Sequence, residues 1–188
     1  MRRLALGIGC VLALAGAAQA QVQVLTATRV HTSDPDRPVV EQRAWDATGR
    51  VLAVGDAKAL LARYPDAKRV DATGKTIVPG FVDAHAHGSH GDDELVPQQN
   101  WSEIVNLAMG TTTSHNPSSR ASEIFVSSEM QRAGLILAPR IFSTGEVIYG
   151  AKAAGIYAEI DGYDDALAHV RRLKAQGAHS VKNYNQPR

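Results

Sequence analysis

The feature that most constrains the fold is an alternation of strand-like and helix-like segments that begins at Gly80. Short apolar or threonine-rich stretches alternate with longer stretches that carry helical spacing of apolar residues or end in glycine. The predicted strands are 81–87, 111–115, 140–144 and 180–184, and the predicted helices are 101–109, 121–133 and 163–176. This alternation predicts parallel β-α-β units, and hence an α/β fold.

The segment before Gly80 has a different pattern and predicts a small β-rich domain over 21–79. Aliphatic strands are predicted at 22–30, 51–54 and 76–78, with one short helix at 57–64. Two nearly identical stretches, 46–50 and 71–75, read Asp-Ala-Thr-Gly followed by a basic residue, which is typical of a turn. The chain therefore divides into 21–79 and 80–188.

The first twenty residues predict a secretory signal peptide. Arg2 and Arg3 precede a short apolar stretch, and 18–20 form an A-x-A cleavage pattern. We expect a secreted or periplasmic protein, with a buried N-terminal helix as the alternative. The apolar stretch is short for a membrane span, so no span is expected after signal removal. The single cysteine, Cys10, lies in this segment, so the processed chain has no disulfide or thiol chemistry.

The charge pattern excludes one class of partner. The net charge is +1, from 20 basic and 19 acidic residues, and no run of lysine or arginine occurs. A nucleic-acid partner is therefore not expected.

Two histidines two residues apart end the first strand of the second region. Side chains alternate along a strand, so Asp83, His85 and His87 are predicted to share one face. Imidazoles at i and i+2 lie roughly 7 Å apart and can converge on one ion at a strand end, and histidine is a standard zinc ligand. Two polar histidines inside a barrel remain the alternative. All-β proteins also use H-x-H sites, but the predicted helices disfavour them.

The stretch 77–87, Ile-Val-Pro-Gly-Phe-Val-Asp-Ala-His-Ala-His, resembles the opening barrel strand of the amidohydrolase superfamily of metal-dependent hydrolases. The stretches 110–117, 139–145 and 181–188 are similar to a secreted branch related to imidazolonepropionase-like and Xaa-Pro-dipeptidase-like members. The resemblance implies a partial (β/α)8 TIM-type barrel, about the first four strands, over 80–188. It also implies that part of a small β-sandwich domain precedes the barrel.

The resemblance also implies roles for individual residues. His85, His87 and a carboxylated Lys182 would hold two divalent ions, zinc by preference, while a lysine that only extends to solvent is the alternative. From the residues themselves, substrate contacts are expected from His115, Tyr184 and Arg188, with a structural hydrogen bond as an equal alternative for His115 and a solvated side chain as the alternative for Arg188. Three further histidines, His31, His169 and His179, are expected on the surface.

The implied activity is hydrolysis of an amide-type carbon–nitrogen bond in a small-molecule amide or dipeptide by a metal-activated hydroxide. A metallodipeptidase of the Xaa-Pro type and a non-catalytic metal-binding fragment remain alternatives. The resemblance also implies two further histidines and a general-base aspartate from later barrel strands. Because a complete barrel needs about 250 residues, we expect them beyond Arg188. We therefore expect an N-terminal fragment that is inactive alone and forms oligomers through open strand edges.

Overall fold

A computed structural model describes residues 21–45, 49–91, 95–149 and 157–183. The chain divides into two compact units, Met1–Pro79 and Gly80–Arg188. The predicted signal peptide and two predicted substrate contacts, Tyr184 and Arg188, lie outside the described residues. Among the helices of the described ranges, none is long and apolar enough to cross a membrane.

The N-terminal unit contains a four-stranded sheet and one short helix. The elements are β1 (Gln23–His31), β2 (Val39–Trp45), β3 (Val51–Gly55), α1 (Ala57–Arg63) and β4 (Lys68–Ile77). The strand order is β3-β2-β1-β4, and β1 runs antiparallel to β2 but parallel to β4. Val24, Val30 and Leu60 are buried. The described residues of this unit form one sheet, so the β-sandwich stays a prediction.

The predicted turn at 71–75 is instead an irregularity inside β4. The Asp71 carboxylate accepts hydrogen bonds from the Thr73 amide at 2.9 Å and the Thr73 hydroxyl at 2.6 Å. Gly74 has a φ of 80°, which glycine tolerates best. Along β1, Ala27 pairs with Ala72 but Arg29 pairs with Thr76, so the extra residues bulge from β4. The Asp71 hydrogen bonds therefore form a bulge within β4, and the strand continues on both sides of it.

Over residues 81–143, the C-terminal unit confirms the predicted alternation of strands and helices. A parallel sheet contains β5 (Phe81–Asp83), β6 (Thr111–Asn116) and β7 (Arg140–Ser143), in that order. The helices are α2 (Trp101–Ala108), α3 (Ala121–Arg132) and α4 (Tyr163–Gln176), each within one residue of its predicted bounds. This is a mixed α/β fold with parallel sheets.

The core of this unit lies between β7, α3 and α4. Ile124 and Leu173 are fully buried and belong to one cluster with Phe125 and Ile141. The predicted apolar stripe of α4 is right at Leu173 but wrong at Tyr163, which is 80% exposed. Tyr163 is the first residue of the helix and projects beyond the packed surface.

The region after β7 differs from the prediction. Two short parallel strands, β8 (Val147–Tyr149) and β9 (Tyr157–Glu159), were not predicted. The predicted strand at 180–184 is reduced, within the described residues, to one parallel bridge between Ile148 and Asn183. The Ile148 amide donates to the Lys182 carbonyl at 2.9 Å. A four-stranded part of a barrel therefore stays a prediction.

Candidate metal centre

The two central histidines lie in a turn just beyond β5, not in the strand as predicted. The Asp83 carboxylate accepts a hydrogen bond from the His85 amide at 3.0 Å, and this local bond ends the strand. The Ala86 amide then donates to the His115 carbonyl of β6 at 3.0 Å. The alternation of side chains along a strand therefore does not explain why His85 and His87 lie close together. The turn explains it.

The turn brings the two imidazoles together. The ring centroids of His85 and His87 are 5.0 Å apart with planes at 73°, an edge-to-face arrangement. Both residues are exposed, so an ion or a small molecule can reach them. Two neighbouring neutral imidazoles are suitable ligands for zinc and similar cations.

The surroundings of His87 favour its neutral form. Its pKa is lowered from 6.5, first by slight desolvation of the largely exposed ring, then by the positive charge of Lys182 and by His85. A neutral ring has one nitrogen lone pair free to bind a metal. The effect of Lys182 also shows that its charge lies near His87.

His115 connects β6 to the segment that carries Lys182. The His115 Nε2 atom lies 2.8 Å from the Ser180 hydroxyl, two residues before Lys182. The structural hydrogen bond considered for His115 is therefore present, and a substrate contact by this residue stays a prediction. Lys182 itself is half-buried.

An open cleft of about 570 Å³ adjoins His87. Its lining side chains are polar and include Ser118, Ser119, Arg120 and Glu123. Sequence reasoning missed this group, although Asn116-Pro117-Ser118-Ser119 is a cluster of turn-forming residues directly after a predicted strand. Loops at the carboxyl ends of parallel strands commonly carry binding residues, and this signal was available in the sequence.

A second feature missed from the sequence is a buried pair beneath the loop after His87. His90 Nδ1 lies 3.2 Å from Glu103 Oε1, and both side chains are at most 4% exposed. His90 Nδ1 and Glu103 Oε2 have no well-formed hydrogen bond in the described structure. Burial lowers the pKa of His90 to about 4 and raises the pKa of Glu103. Both groups therefore favour their uncharged forms despite their proximity.

The donor set around the histidines fits part of a metal centre. Within the described ranges, no group of three or more His, Cys, Asp or Glu side chains could hold an ion. His85 and His87 provide two nitrogen donors, and Lys182 lies close enough to influence one of them. Of the predicted site residues that are described, the structure thus brings these three near one another.

Comparison with known proteins gives relatives over part of the chain. No family model matches the sequence. An imidazolonepropionase of Halobacterium salinarum is 50% identical over 48 residues, which cover 24% of this chain and 12% of that protein. The matched part of the relative is therefore a small share of its length.

Solved structures resemble a larger share of the chain. A prolidase-like structure from Bifidobacterium longum has a TM-score of 0.62 at 18% identity, covering 90% of this chain and 42% of that one. Enamidase, named as a member of the amidohydrolase superfamily, has a TM-score of 0.54 at 19% identity, covering 86% and 42%. The chain thus spans less than half the length of these structures.

These comparisons confirm the resemblance at the level of fold: the chain has an amidohydrolase-like fold. The relatives by sequence include imidazolonepropionases and an enamidase, each matched over less than half of this chain. The amidohydrolase superfamily generally uses divalent metals.

Proposed function

We propose that this chain provides His85 and His87 as ligands of a divalent metal centre in a hydrolase of amide-type carbon–nitrogen bonds. The observation that carries the proposal is the 5.0 Å separation of the two exposed rings at the carboxyl end of a parallel strand. The amidohydrolase-like fold supports the reaction class, because the relatives with this fold include hydrolases of that kind.

The residues around the pair fit this role. His87 is neutral at neutral pH because its pKa is lowered, so no proton has to leave before a metal binds. The positive charge of Lys182 opposes a cation at His87, whereas a carboxylated Lys182 would carry a negative charge and oxygen donors instead. We therefore assign Lys182 as a carboxylated ligand, and we place the remaining ligands outside the described residues.

When bound, a divalent ion lowers the pKa of a water molecule and polarises the substrate carbonyl, which is the chemistry needed for amide hydrolysis. The chain's own residues position the reaction. The Asp83 carboxylate and the His115 carbonyl accept the backbone hydrogen bonds that fix the turn carrying the histidines. The polar cleft beside His87 holds the substrate, with hydroxyl groups of Ser118 and Ser119 available for hydrogen bonds.

The substrate class we propose is a small amide, either cyclic or open. A dipeptidase of the Xaa-Pro type is the second candidate, favoured by the likeness to a prolidase-like structure. The sequence pattern of residues 1–20 supports export of the protein, with the mature chain beginning at Gln21. Mass spectrometry of the exported protein should show that terminus, and a mature chain that retains Met1 would contradict export by this route.

The experiment compares His87→Ala with His31→Ala in the protein carrying this chain. His31 lies at the end of β1 and serves as a matched histidine control. We expect His87→Ala to lose metal, by elemental analysis, and to lose turnover of both small cyclic amides and Xaa-Pro dipeptides. His31→Ala should retain both. Metal loss without any turnover in the unmodified protein would instead favour a non-catalytic metal-binding role, and unchanged metal content would rule out the site.

A further inference from the structure

A buried polar segment at the carboxyl end of β6 faces the turn that carries His87. The Asn116 side chain, 2% exposed, makes two hydrogen bonds in opposite directions. Its Nδ2 donates to the Gly88 carbonyl at 3.1 Å, and its Oδ1 accepts from the Ser118 amide at 3.0 Å. One side chain therefore fixes both the backbone that follows His87 and the backbone of Ser118.

Asn116 is itself held from β7. The Ser143 hydroxyl donates to the Asn116 carbonyl at 2.7 Å, and the Thr144 hydroxyl donates to the Pro117 carbonyl at 2.6 Å. Ser143 and Thr144 are at most 2% exposed. Because buried hydrogen bonds of this kind restrict motion, the segment forms a rigid support beside an otherwise exposed turn.

The supported segment places a hydroxyl against one nitrogen of His87. The Ser118 Oγ atom lies 3.4 Å from His87 Nδ1, slightly longer than a strong hydrogen bond. If the hydroxyl donates, the ring proton sits on Nε2 and neither nitrogen can bind a metal. If Nδ1–H donates to the hydroxyl oxygen, the lone pair of Nε2 is free.

We infer that Ser118, held in place by Asn116, is a positioning residue that selects the Nδ1–H form of His87 and thereby presents Nε2 to a metal. The contact itself does not depend on the proposed function, but the choice of the Nδ1–H form rests on it, because the 3.4 Å distance fits donation in either direction. Outer partners that fix the tautomer of a histidine ligand are a general feature of metal sites.

The neighbouring histidine shows the contrast. Within the described part of the chain, the His85 ring contacts the His87 ring and has no hydrogen-bond partner. Only one of the two histidines is therefore held by a side chain from β6 or the loop after it. A change at Ser118 should affect His87 and leave the His85 tautomer unaltered.

The first test reads the tautomer in the metal-free protein by long-range ¹H–¹⁵N NMR of the histidine rings at about pH 8. At that pH His87 is neutral, because its pKa lies below the ordinary value of 6.5. We expect the Nδ1–H form in the unmodified protein. In Ser118→Ala, His87 should shift towards the Nε2–H form, which neutral histidine favours in water, whereas Ser118→Thr should keep the Nδ1–H form.

The matched control is Ser119→Ala. Ser118 and Ser119 are both 8% exposed and line the same cleft, but only Ser118 lies within hydrogen-bonding distance of His87. Thermal unfolding of the metal-free variants shows whether each one folds. The Nε2–H form in the unmodified protein, or a tautomer unchanged in folded Ser118→Ala, would overturn the inference.

The second test measures zinc affinity by competition with a coloured chelator. We expect Ser118→Ala to weaken binding about 10–100-fold, the usual effect of losing an outer partner, while Ser119→Ala and Ser118→Thr stay close to the unmodified protein. A changed tautomer with unchanged zinc affinity would overturn the link to the metal. If the unmodified protein bound no zinc, the proposed function would fail while the NMR result still decided the role of Ser118.

Discussion

The strands β5 and β6 are neighbours in one parallel sheet but differ in their surroundings. β5 lies at the edge, and its Phe81 and Val82 are 61% and 66% exposed. β6 lies in the centre, and its Ser114 and Asn116 are at most 4% exposed. The candidate ligands thus follow the exposed strand, while the groups that hold one of them follow the buried strand.

The candidate metal ligands and the residues that hold one of them thus lie in two different environments. An exposed turn admits an ion and a substrate, but by itself it gives a loosely held ligand. A buried and fully hydrogen-bonded neighbour provides the rigidity that a metal ligand requires. Substitutions on the buried side should therefore affect stability far more than substitutions on the edge strand.

The largest loss of stability is expected for Gly145→Ala, just after β7. A Cβ atom there would lie 2.7 Å from the Leu173 side chain, and the backbone φ is 70°. Crowding in a packed core and an unfavourable φ together cost about 2–5 kcal/mol. The control is Gly134→Ala, where φ is 72° but no atom lies within 4 Å, so only the φ cost of about 1–2 kcal/mol applies. Urea unfolding measures both, and equal losses would contradict the packing described for Gly145.

The next largest effect is expected for Asn116→Ala. The substitution removes two hydrogen bonds and leaves the buried Ser118 amide without its acceptor, which costs about 1–3 kcal/mol. The edge-strand control, Val82→Thr, should change the free energy of unfolding by no more than about 0.5 kcal/mol, because Val82 is exposed. If Val82→Thr destabilised the protein as much as Asn116→Ala, the contrast between the two strands would be wrong.

A smaller, pH-dependent effect is expected from His90, the buried exception in the loop after β5. The folded state has a His90 pKa of about 4, against 6.5 in the unfolded chain. Stability from this group is complete above pH 6.5 and falls as the pH drops towards 4, because only the unfolded chain takes up the proton. The loss at pH 5 is at most about 2 kcal/mol.

Urea unfolding of His90→Gln between pH 7 and pH 5 should show a smaller loss on acidification than the unmodified protein. Glu103 has a raised pKa and acts in the opposite direction, losing stability as the pH rises above 4.5. Glu103→Gln should therefore lose more free energy of unfolding than the unmodified protein between pH 7 and pH 5. Identical pH profiles for the unmodified protein and His90→Gln would mean that the His90 ring is not buried in solution.

The sequence predicted the helices well because their signals are local. The apolar spacing of α4 and the glycines after α3 and α4 mark these elements without reference to the rest of the chain. Strand ends were less predictable. The Asp83 carboxylate accepts a hydrogen bond from the His85 amide, and β5 ends at Asp83. The turn at Asp71 instead forms a bulge inside β4. In both cases an aspartate favours a turn, and pairing with neighbouring strands decides the outcome.

The candidate site also has features that follow from local sequence and features that depend on strand pairing. The sequence suggested the proximity of His85 and His87 from their separation by two residues, although the turn after β5, and not strand alternation, produces it. The contact between Ser118 and His87 joins residues 31 positions apart and depends on how β5 and β6 are aligned. The alignment includes a register shift between Phe81 and Val82, which no sequence pattern indicated.

The most direct test of the central claim is anomalous X-ray scattering at the zinc edge from crystals of the protein grown with zinc. We expect an anomalous peak bonded to both His85 and His87. Crystals of His85→Ala/His87→Ala, treated identically, should lack this peak. A well-occupied zinc peak at other side chains, with the His85 and His87 rings free of metal, would contradict the claim.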